Sequence, residues 1–187
     1  DRGTNRIRIT GSLPRDFSGD YTRVPVEKPH LYAGQVLKER LEREGIAFSP
    51  GSRVKEGEKP AGAERMATYL SPPLSEVVHY MNKASDNFYA EMIFRTLGFE
   101  RTGEGTEEGG REAVTDYLNR TGIDRSLHLR DGSGLTRHNR ISAEQIVELL
   151  IAVTDQPIES PFVESLPVAG VDGTLRNRMH DTAAPDN

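Results

Sequence analysis

A Ser-Asp-Asn triplet at residues 85–87 is the strongest candidate for chemistry in this sequence. It lies between two stretches of helical periodicity, although Ser, Asp and Asn favour caps and turns over helix interiors. The triplet therefore predicts a bend that presents Ser85 and Asn87 on one side while Asp86 points back into the fold. A hydroxyl that relays a proton and a carboxamide that binds an amide suit a serine acyl-transfer site. An ordinary N-cap for a helix at 88–97 is the alternative interpretation.

The loop DGSGLTRHN, at residues 131–139, is the second candidate. Two glycines flank Ser133, so the backbone there can turn with a positive φ and approach a ligand closely. Arg137 offers a planar cation suited to a terminal carboxylate, and Arg140 is a competing arginine. We expect Asp131 to brace the loop rather than to act as an acid. A purely structural loop that supports the Ser-Asp-Asn bend is the alternative.

Two other patterns are weaker candidates for a role in catalysis. A serine nucleophile needs its lysine one helical turn away, and one S-x-x-K pattern occurs, at 52–55. Glycines and Pro60 bracket it, and in an extended strand positions i and i+3 point to opposite faces, so we do not expect Ser52 to be a nucleophile. Lys83 lies near enough to the triplet to lower pKa values there, but we expect it to be solvated or paired with an acid.

Composition excludes several classes of function. The chain has 187 residues, of which 35% are hydrophobic and 28% charged, as in globular proteins. The net charge of −5 and the lack of a basic stripe argue against a nucleic-acid partner. There is no cysteine, the five histidines lack metal-binding spacing, and we expect no metal or other cofactor. No apolar run would span a bilayer and no signal peptide is expected at residues 1–8, as in a mature or excised fragment.

Hydrophobic periodicity and turn residues predict the elements that position these side chains. Helices are predicted at 30–44, from 73 to the triplet, at 88–97 ending at Gly98, at 107–120, and from a Ser142–Gln145 capping box to about Val153. Extended pieces are predicted at 5–10, 21–27, 53–56, 65–71 and 127–130. From residue 164 we expect mostly loop, with one helical turn at 175–179.

Four stretches of the sequence resemble one known family. They are LSPPLSEVVHYMNKASDNFYAEMIFRTLG at 70–98, LRDGSGLTRHNRISAEQIVELL at 129–150, SLPVAGVDGTLRNRM at 165–179 and, more weakly, NRIRITGSLP at 5–14. In order and spacing they resemble the class C low-molecular-mass penicillin-binding proteins of the penicillin-binding protein 4 type. Members of that family are D-Ala-D-Ala carboxypeptidases and endopeptidases of cell-wall peptidoglycan.

The resemblance implies a catalytic apparatus of three motifs, S-x-x-K, S-x-N and K-T-G. Ser85 and Asn87 match S-x-N, in which the serine helps to pass a proton to the leaving amine and the asparagine binds the substrate's amide. No lysine here is followed by Thr-Gly or Ser-Gly. We expect the family's S-x-x-K and K-T-G motifs to lie outside these residues, and the chain alone to be inactive in acyl transfer.

The resemblance also implies an α+β fold. Residues 29–187 would form the mostly helical, incomplete portion of a serine D,D-peptidase (penicillin-binding/β-lactamase-like) domain, preceded at 1–28 by the tail of an accessory β domain. Strands of the family's central sheet would be missing, so helices here would expose apolar faces. Arg137, Ser133 and Asp131 are the expected substrate-binding residues.

The expected partners follow from the same resemblance. They are peptidoglycan stem peptides, β-lactams and the missing segments of the same polypeptide, in the periplasm or cell envelope, with peripheral association with the membrane or envelope. The main alternative is a non-catalytic module that binds peptidoglycan peptides or an envelope protein. A β-lactamase or esterase on the same fold is a third option, and the balance between carboxypeptidase and endopeptidase action stays open.

Overall fold

A computed structural model describes residues 4–19, 24–123, 126–154 and 156–179. The chain divides into two compact units, Asp1–Ala67 and Thr68–Asn187. The accessory domain at 1–28 stays a prediction, as does the boundary between residues 28 and 29.

The first unit contains one helix, α1 at Pro29–Arg43, among its described residues. A proline at the start of a helix is favourable because its missing N–H would have no intrahelical partner. The helix ends at Arg43, and Gly45 follows the C-cap Glu44 with a φ of 90°. These bounds confirm the predicted helix at 30–44. Its apolar face is only partly covered, since Tyr32 and Leu37 stay exposed.

The strands predicted at 5–10, 53–56 and 65–71 are wrong, because these segments are irregular in the structure. A strand exists only when its N–H and C=O groups pair with a neighbouring strand, and no described segment supplies one here. The short strand predicted at 127–130 reduces to a single antiparallel bridge between His128 and Arg140. Of the piece predicted at 21–27, residues 21–23 lie outside the described residues and the rest is irregular.

The second unit is helical wherever it has regular structure among its described residues. Its elements are α2 at Leu74–Ala84, α3 at Asn87–Thr102, α4 at Glu107–Thr121, α5 at Ala143–Val153, α6 at Glu159–Ser165 and a 3₁₀ turn at Gly173–Leu175. The helices α2, α4 and α5 confirm the sequence predictions. The helix α6 was not predicted, and the helical turn expected at 175–179 lies at 173–175 instead. No helix in the described residues has the length and apolar character needed to cross a membrane.

The predicted end of α3 at Gly98 is wrong, because the helix continues to Thr102 and ends at Gly103 with a φ of 81°. Gly98 is buried where α3 meets α4. A Cβ at this position would lie 2.7 Å from the backbone nitrogen of Gly110 and 2.8 Å from the carbonyl oxygen of Thr106. Gly98 therefore permits the close approach of two helices and is not a stop signal.

The core of the second unit is small. Four apolar side chains are only 5% exposed, namely Phe94, Leu118, Ile123 and Val153. A groove of about 850 Å³ remains open along α2 and α3, and its walls are mainly apolar. The helices therefore expose apolar faces, as the sequence analysis expected.

The capping box predicted at Ser142 and Gln145 is confirmed at the start of α5. The N–H of Gln145 donates to the Ser142 hydroxyl at 3.1 Å, and the N–H of Ser142 donates to the Gln145 carboxamide oxygen at 2.8 Å. This reciprocal pair satisfies two donors that the helix itself leaves without partners.

Candidate active site

The Ser-Asp-Asn triplet forms the sharp connection between α2 and α3. The N–H of Asp86 donates to the carbonyl of Met81 at 3.0 Å, and the N–H of Ser85 donates to that of Asn82 at 3.4 Å. This pair of bonds is a Schellman motif, in which the residue after the helix takes the left-handed conformation. Ser85 has a φ of 54° and a ψ of 50°.

The carboxylate of Asp86 begins the next helix. It accepts a hydrogen bond from the N–H of Tyr89 at 3.0 Å and is the N-cap of α3. Asp86 therefore turns back towards the chain, while Ser85 and Asn87 on either side of it are exposed. The structure thus has both the N-cap and two exposed flanking residues, so the two interpretations of the triplet do not exclude each other.

Ser85 occupies a position that three other helices give to glycine. Gly45, Gly103 and Gly122 follow α1, α3 and α4 with φ values of 90°, 81° and 74°. A residue with a Cβ in the left-handed region costs roughly 1–2 kcal/mol relative to the right-handed one. Glycine would allow the same turn between α2 and α3 without this cost. Residues held in such strained backbone conformations are often found at functional sites. The outlier therefore favours a role for the Ser85 side chain.

Two clefts adjoin the end of α2. One, of about 570 Å³, lies between α2 and α6, and the other, of about 440 Å³, is lined by Lys83, Ala84 and residues between 173 and 177. Neither is lined by Ser85 or Asn87. The prediction that these two side chains face a substrate cleft therefore stays a prediction.

Lys83 is paired with an acid. Its amine donates to the carboxylate of Asp172 at 2.7 Å and to the carbonyl of Leu166 at 2.6 Å. The hydrogen bond from Lys83 and a second from the N–H of Val168 hold the pKa of Asp172 below its usual value. Both acceptors lie outside the triplet, and the expectation that Lys83 is solvated or paired with an acid is confirmed as a pairing with Asp172.

The loop at 131–139 is organised around the carboxylate of Asp131. That carboxylate accepts hydrogen bonds from four donors, the Ser133 hydroxyl at 2.7 Å, the Asn139 side-chain amide at 2.7 Å, and the backbone N–H groups of Gly134 and Thr136 at 3.2 Å. The Ser133 hydroxyl also accepts from the N–H of Leu135 at 3.2 Å. Asp131 and Ser133 thus both make contacts that brace the loop from within.

The hydrogen bonds to Asp131 predict a pH-dependent stability. Burial alone would raise the pKa of this carboxyl, but the bonds from Ser133, Asn139, Thr136 and Gly134 together lower it from about 3.8. The ionised form therefore stabilises the fold above the unfolded-state pKa, and this contribution is lost as pH falls through the lower folded-state pKa. In urea unfolding from pH 7 to pH 2, we expect the stability difference between the wild type and Asp131→Asn to shrink below about pH 4. A difference that does not vary with pH would contradict this.

A carboxylate on α3 holds the loop in place. Glu91 accepts from the N–H of Gly132 at 2.9 Å and from the side chain of Arg95 at 2.7 Å. Gly132 packs against the same helix, because a Cβ there would lie 2.4 Å from Cβ of Phe94. The loop is therefore seated on the first two turns of α3, which begin at Asn87.

The two candidate arginines of this loop are both exposed. Arg137 makes no side-chain hydrogen bond or ion pair with any residue that the structure describes. The backbone of Arg140 exchanges two hydrogen bonds with that of His128, at 2.8 and 2.9 Å. Arg137 is thus the arginine on the braced part of the loop, while Arg140 lies at the bridge that closes it.

Sequence reasoning missed Glu91 and Asp172. Glu91 was detectable, because Asn87, Glu91 and Arg95 recur every four residues and so share one face of α3. Asp172 lies 89 residues from Lys83, and no local pattern connects them. Among the described residues no cluster of histidine and carboxylate side chains is arranged to hold a metal ion.

The S-x-x-K match at 52–55 lies in an irregular, largely exposed segment. Because Ser52 and Lys55 are not on a helix, they lack the spacing that the chemistry of this motif requires. The expectation that Ser52 is not a nucleophile stays a prediction.

Comparison with known proteins gives the family of this chain. Residues 1–187 match the D-Ala-D-Ala carboxypeptidase 3 (S13) family, and the chain belongs to it. The chain is 39% identical over 191 residues to a D-alanyl-D-alanine carboxypeptidase of Actinomadura sp. (strain R39), covering 97% of the chain and 35% of that protein. It is 31% identical to the D-alanyl-D-alanine carboxypeptidase DacB of Haemophilus influenzae, covering 93% of the chain and 36% of the relative.

A solved structure supports the same relation. Penicillin-binding protein 4 of Haemophilus influenzae, in complex with a β-lactam, superposes with a TM-score of 0.73 and 31% identity, covering 83% of this chain and 36% of that one. The resemblance drawn from the four sequence stretches is confirmed. The chain spans little more than a third of the length of these relatives.

Proposed function

We propose that this chain contributes the S-x-N motif to a serine-type D-Ala-D-Ala carboxypeptidase or endopeptidase that acts on peptidoglycan stem peptides. The observation that carries the proposal is Ser85, a serine held in the left-handed conformation where three other helices use glycine. A strained, exposed hydroxyl within a matched S-x-N motif suits a group that must reach a reacting atom. In this proposal the S-x-x-K and K-T-G motifs come from the remainder of a longer polypeptide.

The proposed reaction is an acyl transfer in two steps. The oxygen of the S-x-x-K serine attacks the carbonyl carbon of the penultimate D-alanine, and the peptide bond to the last residue breaks. The proton lost by that serine reaches the leaving amine through the Ser85 hydroxyl, while Asn87 binds the substrate's amide. Water then hydrolyses the ester and releases the shortened peptide and the free serine.

Arg137 is the proposed partner of the substrate's terminal carboxylate. Its guanidinium is exposed on a loop that Asp131 braces and Glu91 ties to α3, so the charge is carried on a rigid support. Asp131 and Ser133 assist substrate binding by fixing this loop. The proposed setting is the bacterial cell envelope, and β-lactams are the proposed inhibitors.

Labelling with a fluorescent penicillin tests this function. The complete open reading frame that encodes these residues and the 187-residue chain are each expressed and incubated with the reagent. We expect a covalent label on the product of the complete frame and none on the chain, because the chain lacks a competent S-x-x-K and K-T-G. Pretreatment with unlabelled penicillin, which should abolish the label, is the control.

Two results would contradict the proposal. A label on the chain itself would reveal a nucleophile within these residues. A reading frame that has all three motifs and takes no label would favour the alternative, a module that binds peptidoglycan peptides without cleaving them. Binding of a D-Ala-D-Ala peptide by such a protein would identify that module directly.

A further inference from the structure

The last turn of α2 is held by a set of contacts that the proposed mechanism does not use. The Lys83 amine reaches Asp172 and the carbonyl of Leu166, and its side chain is only 16% exposed. One residue earlier, the Asn82 carboxamide donates to the hydroxyl of the fully buried Ser165 at 2.7 Å. Both contacts join the end of α2 to the segment between 165 and 173.

A close backbone contact completes the attachment. A Cβ at Gly173 would lie 3.1 Å from the carbonyl oxygen of Lys83 and 2.9 Å from Cβ of Pro167. The segment therefore packs against the last carbonyls of α2, where only a residue without a side chain fits. Asp172 in turn accepts from the N–H of Val168 at 2.8 Å, which fixes the carboxylate before Lys83 meets it.

We infer that Lys83, Asp172 and the carbonyl of Leu166 form a clamp that keeps Ser85 in its left-handed conformation. Ser85 lies between two held ends, the clamped last turn of α2 and the start of α3, which Asp86 caps. If the last turn of α2 were free to fray, Ser85 would relax to the more stable right-handed region and its hydroxyl would change direction.

Lys83 and Asp172 are therefore positioning residues for the S-x-N serine, and the functional meaning of the clamp rests on the proposed function. The conformational effect itself does not require activity. It can be measured on the 187-residue chain, which contains every atom of the clamp.

The test compares three variants by nuclear magnetic resonance. Lys83→Met keeps the aliphatic stem and removes the amine, and Asp172→Asn keeps the shape and removes the charge. Asp116→Asn is the matched control, because Asp116 forms an ion pair with Arg101 at 2.6 Å and is 44% exposed, compared with 41% for Asp172. The readouts are the Cα and Cβ chemical shifts of Ser85 and the hydrogen-exchange rate of the Asp86 amide, which closes the Schellman motif.

In Lys83→Met and Asp172→Asn, we expect the Ser85 shifts to move towards right-handed values and the Asp86 amide to exchange about tenfold faster, since a hydrogen bond to a charged group is lost. In Asp116→Asn, we expect neither change. If Lys83→Met proves too unstable to study, the isosteric Asp172→Asn carries the comparison.

Unchanged Ser85 shifts and Asp86 exchange in the clamp variants would overturn the inference, and so would equal changes in the control. These outcomes are separate from the penicillin experiment. A missing penicillin label would contradict the proposed function but not the clamp. Ser85 chemical shifts that do not change in the clamp variants would contradict the clamp but not the proposed function.

Discussion

Replacing Ser85 by glycine is expected to stabilise the chain and, in a polypeptide with all three motifs, to remove most of its acyl-transfer activity. The left-handed conformation costs a residue with a Cβ roughly 1–2 kcal/mol, and glycine avoids this cost. Part of the gain is offset because glycine has more freedom in the unfolded state, so the expected net gain is about 0.5–1 kcal/mol. Losing a proton relay should slow acylation about 10²–10⁴-fold. Urea unfolding and the rate of penicillin labelling measure the two effects.

Two matched variants separate the hydroxyl from the backbone strain. Ser85→Ala keeps the Cβ and should lose the same activity without becoming more stable. Gly103→Ser places a Cβ in the left-handed region at the end of α3, where φ is 81°, and should destabilise the chain by about 1 kcal/mol. If Ser85→Gly lowers the stability instead, the hydroxyl is a structural group and the outlier carries no functional meaning.

The parts of this fold that the sequence predicted are those set by local signals. The bounds of α1 and α4, the capping box of α5 and the bend between α2 and α3 each depend on residues within one or two turns of one another. The bend at Ser85, Asp86 and Asn87 was found in the same way, because the triplet interrupts a helical pattern, whereas the catalytic role of Ser85 and Asn87 comes from the family resemblance and stays a prediction. Their exposure follows from the same local geometry.

The sequence predictions that were wrong concern features that depend on contacts between residues far apart in the chain. A strand at 5–10 needs a partner strand, and alternation in one segment cannot say whether a partner exists. Gly98 has the appearance of a helix stop until α4 packs against it, and only the packed structure shows that its missing side chain is what matters. The clamp joins Lys83 to a carboxylate 89 residues away, a pairing that no periodicity reveals.

Replacing Gly132 by alanine is expected to cause a large loss of stability. The added Cβ would lie 2.4 Å from Cβ of Phe94 and 2.7 Å from the carbonyl oxygen of Ala90, and both of these atoms belong to α3. Phe94 is a core residue that cannot yield without disturbing the packing of α3 on α4. The loop must therefore rise from α3, at an expected cost of about 1–3 kcal/mol. Urea unfolding of the chain measures this cost.

The same change is expected to disturb the proposed carboxylate site, because it also stretches the bond from the Gly132 N–H to Glu91. Gly105→Ala is the control, since its Cβ would meet only the carbonyl oxygen of Arg95 at an ordinary 3.5 Å. In the polypeptide with all three motifs, Gly132→Ala should weaken recognition of the peptide carboxylate while Gly105→Ala leaves it unchanged, as measured by KM for a D-Ala-D-Ala substrate. Equal effects of the two variants on stability would show that the loop is not seated on α3. If Gly132→Ala lowers the stability but leaves KM unchanged, displacing the loop does not affect substrate recognition. That result would contradict the proposal that Arg137 binds the substrate's carboxylate.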